Sequence, residues 1–274
     1  MRGFAILGIV ALVTACSSSA PTIGDDDGPG DDAQIPADAP QPIDRDQDGL
    51  DDARELALAT AYLPYVSLDP GDGCSLDGYV VRVRPHPQDA TKILIVYDHL
   101  FETDCGFGGH TGDNEVFAVA IDPARPAPDG ILAIKTASHQ GTFCERVSEC
   151  STCGDGRDAC DRAPLDGAMW PVLYASKDKH GQYATKRACP LIGTCLDACT
   201  LNPTPKRAPI VNAGEPGHPL VTNLTTDGFI NAANGWTKPE LMNVDPWATG
   251  DFGGAGNIAD DLVDPVFAPA TCSS

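Results

Sequence analysis

Apolar and polar residues alternate, or run as short apolar blocks, over several stretches of the chain. Tyr79-Val80-Val81-Arg82-Val83-Arg84 alternates, and Lys92-Ile93-Leu94-Ile95-Val96-Tyr97 is an apolar run of strand length. Glu115 to Ile121, Ile131 to Thr136 and Pro171 to Ala175 follow, with Leu220 to Leu224 weaker. Successive strand side chains point to opposite faces, so such runs predict strands. Pro70-Gly71-Asp72-Gly73 and Pro128-Asp129-Gly130 punctuate them as turns. One helix is predicted, over Ala53 to Tyr62, which is rich in Ala and Leu. From Asn212 to Phe267, Gly, Pro and Asn predict mostly loop, with Trp236 and Trp247 as packing anchors. The expected fold is mainly β: a single disulfide-stapled β-sandwich-like domain with long loops and few short helices.

The N-terminus changes the picture. Arg2 is followed by an apolar core from Phe4 to Val13, and then by the small residues Thr14 and Ala15 before Cys16. This is a secretory signal, too short to span a bilayer. Leu12-Val13-Thr14-Ala15-Cys16 resembles a bacterial lipobox. The resemblance implies cleavage before Cys16, lipidation of its thiol and a stable anchor. Ser17 in the next position implies the outer membrane of a bacterial cell envelope. Residues 1–15 are then signal peptide. Residues 16–43, mostly Ser, Asp, Gly, Pro and Ala, form a disordered acidic tether. Residues 44–62 carry a calcium-loop motif with its helix, and 63–274 the β-rich domain.

Charge and cysteines narrow the class. The chain has 39 acidic and 18 basic side chains, a net charge of −21. It has no basic stripe, so nucleic-acid binding is excluded, and an acidic surface suits divalent cations. Of the 11 cysteines, setting Cys16 aside leaves an even number, as expected of a disulfide framework in an exported protein. Cys144 to Cys160 and Cys189 to Cys199 are expected to form stapled loops. A zinc-thiolate cluster around Cys150-x2-Cys153 is the competing reading. The protein is expected to be a monomer.

Two stretches carry candidate chemistry. Asp44-Arg45-Asp46-Gln47-Asp48-Gly49-Leu50-Asp51-Asp52-Ala53-Arg54-Glu55 places oxygen ligands at positions 1, 3, 5, 9 and 12 with Gly at 6. Asp44, Asp46, Asp48 and Glu55 would bind Ca²⁺, with the Leu50 carbonyl, and Asp52 through water. The loop is similar to the calcium repeats of thrombospondin type 3 modules, dockerins and EF-hands. It departs from the EF-hand in having Asp51 at the usually apolar position 8, and Pro40 and Pro42 deny it an incoming helix. It would stiffen the junction between tether and domain. The second stretch is His110-Thr111-Gly112-Asp113-Asn114-Glu115, running into the apolar strand. Asp113 and Glu115 would share a face, with His110 folding back to complete a site for Ca²⁺ or Mg²⁺.

His110-x-Gly112-Asp113-x-Glu115 resembles the signature of proteins related to the vacuolar protein sorting-associated protein 62 family. It also resembles the heptapeptide of necrosis- and ethylene-inducing peptide-like proteins. Pro171 to Ser176 leading into His180-Gly181-Gln182-Tyr183 is similar to their downstream strand and His-Gly-x-Tyr. The resemblance spans about Ile93 to Tyr183. It implies a β-sandwich cleft with metal contacts from His110, Asp113 and Glu115 and one upstream carboxylate, from among Asp98, Glu102 and Asp104. Asn114 stands where the motif has tryptophan, and Thr111 and Gly112 replace an Arg-His pair, so toxicity is not carried over. His180 is the candidate acid/base or supporting partner; His86, His99, His139 and His218 are read as structural. Three functions are open: a cation-dependent binding module for a glycan or lipid headgroup, a metal-dependent hydrolase, and a calcium-stabilised structural envelope lipoprotein.

Overall fold

The computed structural model describes residues 42–263 except 75, 154–157, 190–194, 201–206 and 249. The signal peptide, Cys16, the tether up to residue 41 and Cys272 lie outside the described residues. The described residues form one compact unit.

Helix α1 (Asp52–Tyr62) opens this unit and is capped by Asp51, whose carboxylate accepts from the Arg54 N–H. The strands among the described residues are β1 (Tyr65–Ser67), β2 (Asp77–His86), β3 (Asp89–Thr103), β4 (Thr111–Ile121), β5 (Ile131–Ser138), β6 (Arg146–Ser151), β7 (Arg162–Leu165), β8 (Ala168–Ala175), β9 (Gln182–Tyr183), β10 (Ile210–Asn212), β11 (Gly214–Glu215) and β12 (His218–Pro219). Helix α2 (Ile258–Val263) comes last. The protein is mainly β, with few helices and several disulfides.

A six-stranded sheet in the order β10-β2-β3-β4-β5-β6 is its centre, antiparallel except where β10 runs parallel to β2. A smaller sheet has β8 between β1 on one edge and β7 and β9 on the other. β2 to β4 are almost continuously buried because both faces of the large sheet are covered. On one face Tyr79, Ile95, Tyr97 and Phe117 pack with Ala59 and Tyr62 of α1 and with Val172 and Leu173 of β8. On the other, Val80, Leu94, Val96 and Val116 pack under Phe229, Trp236, Leu241, Phe252 and Ile258. The C-terminal third is thus irregular backbone that supplies a full apolar layer.

Four pairings are defined: Cys74–Cys105, Cys144–Cys195, Cys150–Cys160 and Cys189–Cys199. The Cys189–Cys199 loop is as expected. Cys144 instead reaches Cys195, across 51 residues, and the Cys150–Cys160 bond removes two thiolates from the zinc reading. Leu220 to Leu224 is not a strand. Asn223 bends it into a turn by accepting from the Thr225 and Thr226 N–H groups, which buries Leu224. β6, β7 and β10 lacked the apolar signal that would have announced them.

Candidate functional site

The sheet positions the second motif. β3 and β4 pair with Phe101 opposite Asp113 and His99 opposite Glu115. Gly112 enters β4 at φ 71°, and a Cβ there would lie 2.3 Å from the Phe252 carbonyl oxygen. Only glycine admits the C-terminal segment this closely. Asp113 and Glu115 then point to the face carrying Phe101 and Phe117, at the floor of a cavity of about 550 Å³. His110, Asp104, His139, Lys179 and Asp261 also line it.

Each floor carboxylate is held by a histidine that the motif does not contain. His180 Nδ1 lies 2.8 Å from Asp113 Oδ2, and its Nε2 lies 3.3 Å from Asp72 Oδ2. The ring is sealed from solvent and stacks on Phe101 at 3.8 Å. Burial alone would lower the His180 pKa, but its hydrogen bonds to Asp113 and Asp72 outweigh this and raise it to about 9. Burial likewise disfavours the Asp72 carboxylate, yet the bond to His180 holds its pKa below the ordinary value. Asp72–His180–Asp113 is a buried triad with an imidazolium at its centre.

Glu115 is braced from β5. The His139 backbone N–H donates to both Glu115 oxygens, and His139 Nδ1 lies 3.4 Å from Oε1. His139 Nε2 lies 2.7 Å from Asp197, which also accepts from Ser176 and Tyr183. Burial first, then the charges of Asp113 and Asp197, push the Glu115 pKa well up. His139 and His180 both sit at positive φ, 53° and 56°. Left-handed backbone is uncommon for a residue with a side chain and is tolerated where the surroundings over-determine it.

The remaining expected residues divide. His110 lines the cavity, but its Nδ1 is turned to the Gly112 carbonyl at 2.7 Å and its Nε2 lies 3.6 Å from Asp104. Asp104 is also paired with Lys179 at 2.6 Å. Glu102 caps the Thr237 and Lys238 N–H groups, away from the cavity. Asp98 lies on the opposite face of the sheet, fully buried, with neither oxygen hydrogen-bonded. Burial and then Asp261 push its pKa well up. His110, Asp113 and Glu115 therefore line one cavity without converging. Among the described residues, sets of three ligand atoms within 4.8 Å of one another occur only in the first motif.

Three residues of the site were not anticipated: Asp72, His139 and Asp197. His139 had been read as structural. Its signal lay in hairpin register, because Val116 pairs with Ala137 and so brings Glu115 beside Ser138 and His139. His180 does not line the cavity, and both its ring nitrogens are engaged by Asp113 and Asp72. Of the two roles the sequence offers for His180, this placement suits the supporting partner rather than the acid/base.

The cavity mouth is apolar. Phe107 and Phe143 are 84% and 87% exposed, and Leu196 is 60% exposed. Cys105, two residues before Phe107, is bonded to Cys74, and the Cys144–Cys195 bond joins the residues next to Phe143 and Leu196. Disulfides thus hold three exposed apolar side chains around an acidic floor.

In the 44–55 motif, Asp44, Asp46 and Asp48 converge within 4.8 Å, as do Asp46, Asp52 and Glu55. Asp44 turns the loop by accepting from the Gln47 and Gly49 N–H groups. Asp52 accepts from the Arg45 N–H and guanidinium, both at 2.9 Å. Asp46 and Glu55 are buried, which pushes their pKa values up to about 6 and about 8. The loop does not stand off as a junction: Glu55 accepts from Asn212 on β10 at 2.6 Å.

No family model and no curated protein matches the chain. Among solved structures it is similar to NLPPya, a necrosis- and ethylene-inducing peptide-like protein, in complex with mannosamine. That likeness has a TM-score of 0.36 and 16% identity, over 76% of this chain and 88% of that one. NLPPya in complex with glucosamine aligns at 0.34 and 17%, over 63% and 75%. A structure described as a toxin fold for microbial attack and plant defense aligns at 0.30 and 19%, over 63% and 76%. The fold and site described above stand without these likenesses.

Proposed function

We propose that the chain is an exported, lipid-anchored binding module whose cleft takes a glycan, free or as a lipid headgroup, in a cation-dependent manner. One observation carries this reading: two carboxylates, each braced by a histidine, lie beneath exposed phenylalanines held by disulfides. A sugar offers hydroxyls to such a floor and an apolar C–H face to such a rim. A few fixed polar groups in an otherwise apolar concavity are the usual makings of a small-ligand site. Asp113 and Glu115 are hard oxygen donors that suit Ca²⁺ or Mg²⁺. When bound, the cation would neutralise the floor and leave coordination positions for ligand hydroxyls. Asp72 and Asp197 act behind the histidines, holding the carboxylates in place. The hydrolase reading is less favoured, since His180 is sealed from solvent and does not line the cavity.

The test is calorimetric titration with methyl glycosides and amino sugars, in Ca²⁺ or Mg²⁺ and after chelation. Glucosamine and mannosamine, held by NLPPya in its complexes, are suitable first probes. Binding that disappears with chelator and in Asp113→Asn supports the proposal. Binding that survives in Asp113→Asn, or no binding across the panel, contradicts it.

A further inference from the structure

The 44–55 loop is an acidic cluster, and a cluster alone is no site. What singles it out is carboxylate oxygen that is buried with nothing to bind. Asp46 is only 2% exposed, and neither of its oxygens has a hydrogen-bond partner among the described residues. Glu55 is fully buried with Oε1 unpartnered, and so is one oxygen of Asp48. Burying a carboxylate without a partner is costly. The nearby arginines pair with other carboxylates than Asp46 and Glu55. Arg45 is paired with Asp52, and Arg82 grips both oxygens of Glu215 at 2.6 Å. Asp46 and Glu55, with Asp52, form one set of residues whose ligand atoms converge, and Asp46 shares a second set with Asp44 and Asp48.

The helix behind the loop leads to the same point. The buried stripe of α1 is Glu55, Ala59 and Tyr62, spaced to share one face. Only one of the three is a large apolar side chain, and the first is a carboxylate. Apolar burial is a weak anchor for such a helix. Glu55 Oε2 instead meets Asn212 of β10, while Asn212 Oδ1 accepts from the Gly214 N–H. At Gly214 a Cβ would lie 3.1 Å from Asp46 Oδ2, so the loop packs directly on the β10–β11 connection. β10 is the edge strand of the six-stranded sheet and pairs with β2 over only three residues.

We propose that the Asp44–Glu55 loop binds a hard divalent cation, Ca²⁺ by its all-oxygen donors and loop length, and that this cation clasps α1 to the β10–β11 edge through Glu55 and Asn212. The cation is part of the fold rather than of the cleft, and the proposal is independent of what the cleft binds. Asn212 orients a ligand from another strand, so it couples sheet edge and cation in both directions.

The experiment titrates Ca²⁺, and Mg²⁺ for comparison, into the chelator-treated full-length chain by calorimetry. Hydrogen exchange is read at α1 and β10 with and without the ion. Asp46→Asn is expected to abolish this binding event. Asn212→Ala is expected to weaken it by about 10- to 100-fold, the usual cost of removing a group that orients a ligand. Amides of Asp52–Tyr62 and Ile210–Asn212 are expected to exchange more slowly with Ca²⁺. If Asp46→Asn does not fold, half-buried Asp48→Asn replaces it, with the same expected loss. An isotherm unchanged in Asp46→Asn or Asp48→Asn overturns the site. An Asn212→Ala isotherm identical to wild type, or Ca²⁺ binding without slower exchange at β10, overturns the clasp. If the sole Ca²⁺ event is one that Asp113→Asn abolishes and Asp46→Asn leaves intact, the ion belongs to the cleft and the proposal is overturned.

Discussion

The two acidic regions solve the same electrostatic problem in opposite ways. In the cleft, Asp113 and Glu115 are answered by protein: His180, itself anchored by Asp72, and His139, anchored by Asp197. In the 44–55 loop, the oxygens of Asp46 and one of Glu55 have no hydrogen-bond partner among the described residues. Carboxylates already braced by their own fold are free to serve a ligand that comes and goes. Carboxylates left without partners in a buried, converging set call for a resident ion. On the proposed reading, recognition belongs to the cleft and architecture to the loop.

Breaking the bracing should have the largest effect. His180→Asn removes an imidazolium and leaves Asp72 and Asp113 facing an uncharged group, and it should cost about 3–5 kcal/mol in denaturant unfolding. A loss below 1 kcal/mol would mean that the triad is not charged. Cys144→Ala/Cys195→Ala comes next. It should cost about 2–4 kcal/mol and weaken ligand binding as well, because it frees Phe143 and Leu196 together. Intact affinity in this variant would detach the rim from recognition. Chelation should destabilise wild type by about 2.7 kcal/mol relative to Ca²⁺ at 100 times the loop's Kd, and should destabilise Asp46→Asn by less, its loop site being lost. Equal chelator responses from the two proteins would erase the distinction between loop and cleft. The smallest effect on stability belongs to Phe107→Ala/Phe143→Ala, within about 0.5 kcal/mol, since both rings are exposed. Only its ligand affinity should fall.

How much could be read beforehand follows from where the partners lie in the chain. The acidic residues of the loop sit within twelve consecutive positions, so their spacing alone announced that Asp46, Asp48 and Glu55 would be drawn together. That Glu55 reaches Asn212, 157 residues on, was not visible, because β10 is three residues long and has no periodicity to show. Asp113 and Glu115 were legible as one face of an alternating strand, and β4 places them so. Asp72, His139 and Asp197 come from a turn, a strand end and a disulfide loop, each without local pattern. The main strands were legible because each is a long apolar block. Val80 and Val81 are both buried, however, because irregular C-terminal backbone covers the second face, and tertiary packing of that kind leaves no periodic signal. Cys144 pairing with Cys195 rather than within its own loop is likewise set by three-dimensional proximity.

The most direct test of the division between recognition and architecture measures melting temperature and glycoside binding together, in Ca²⁺, for wild type, Asp46→Asn and Phe107→Ala/Phe143→Ala. Asp46→Asn should melt lower and, while folded, bind the glycoside as wild type does. The double phenylalanine variant should melt with wild type and bind more weakly. The reverse pattern, with binding lost in Asp46→Asn at an unchanged melting temperature and retained in the phenylalanine variant, would contradict the account.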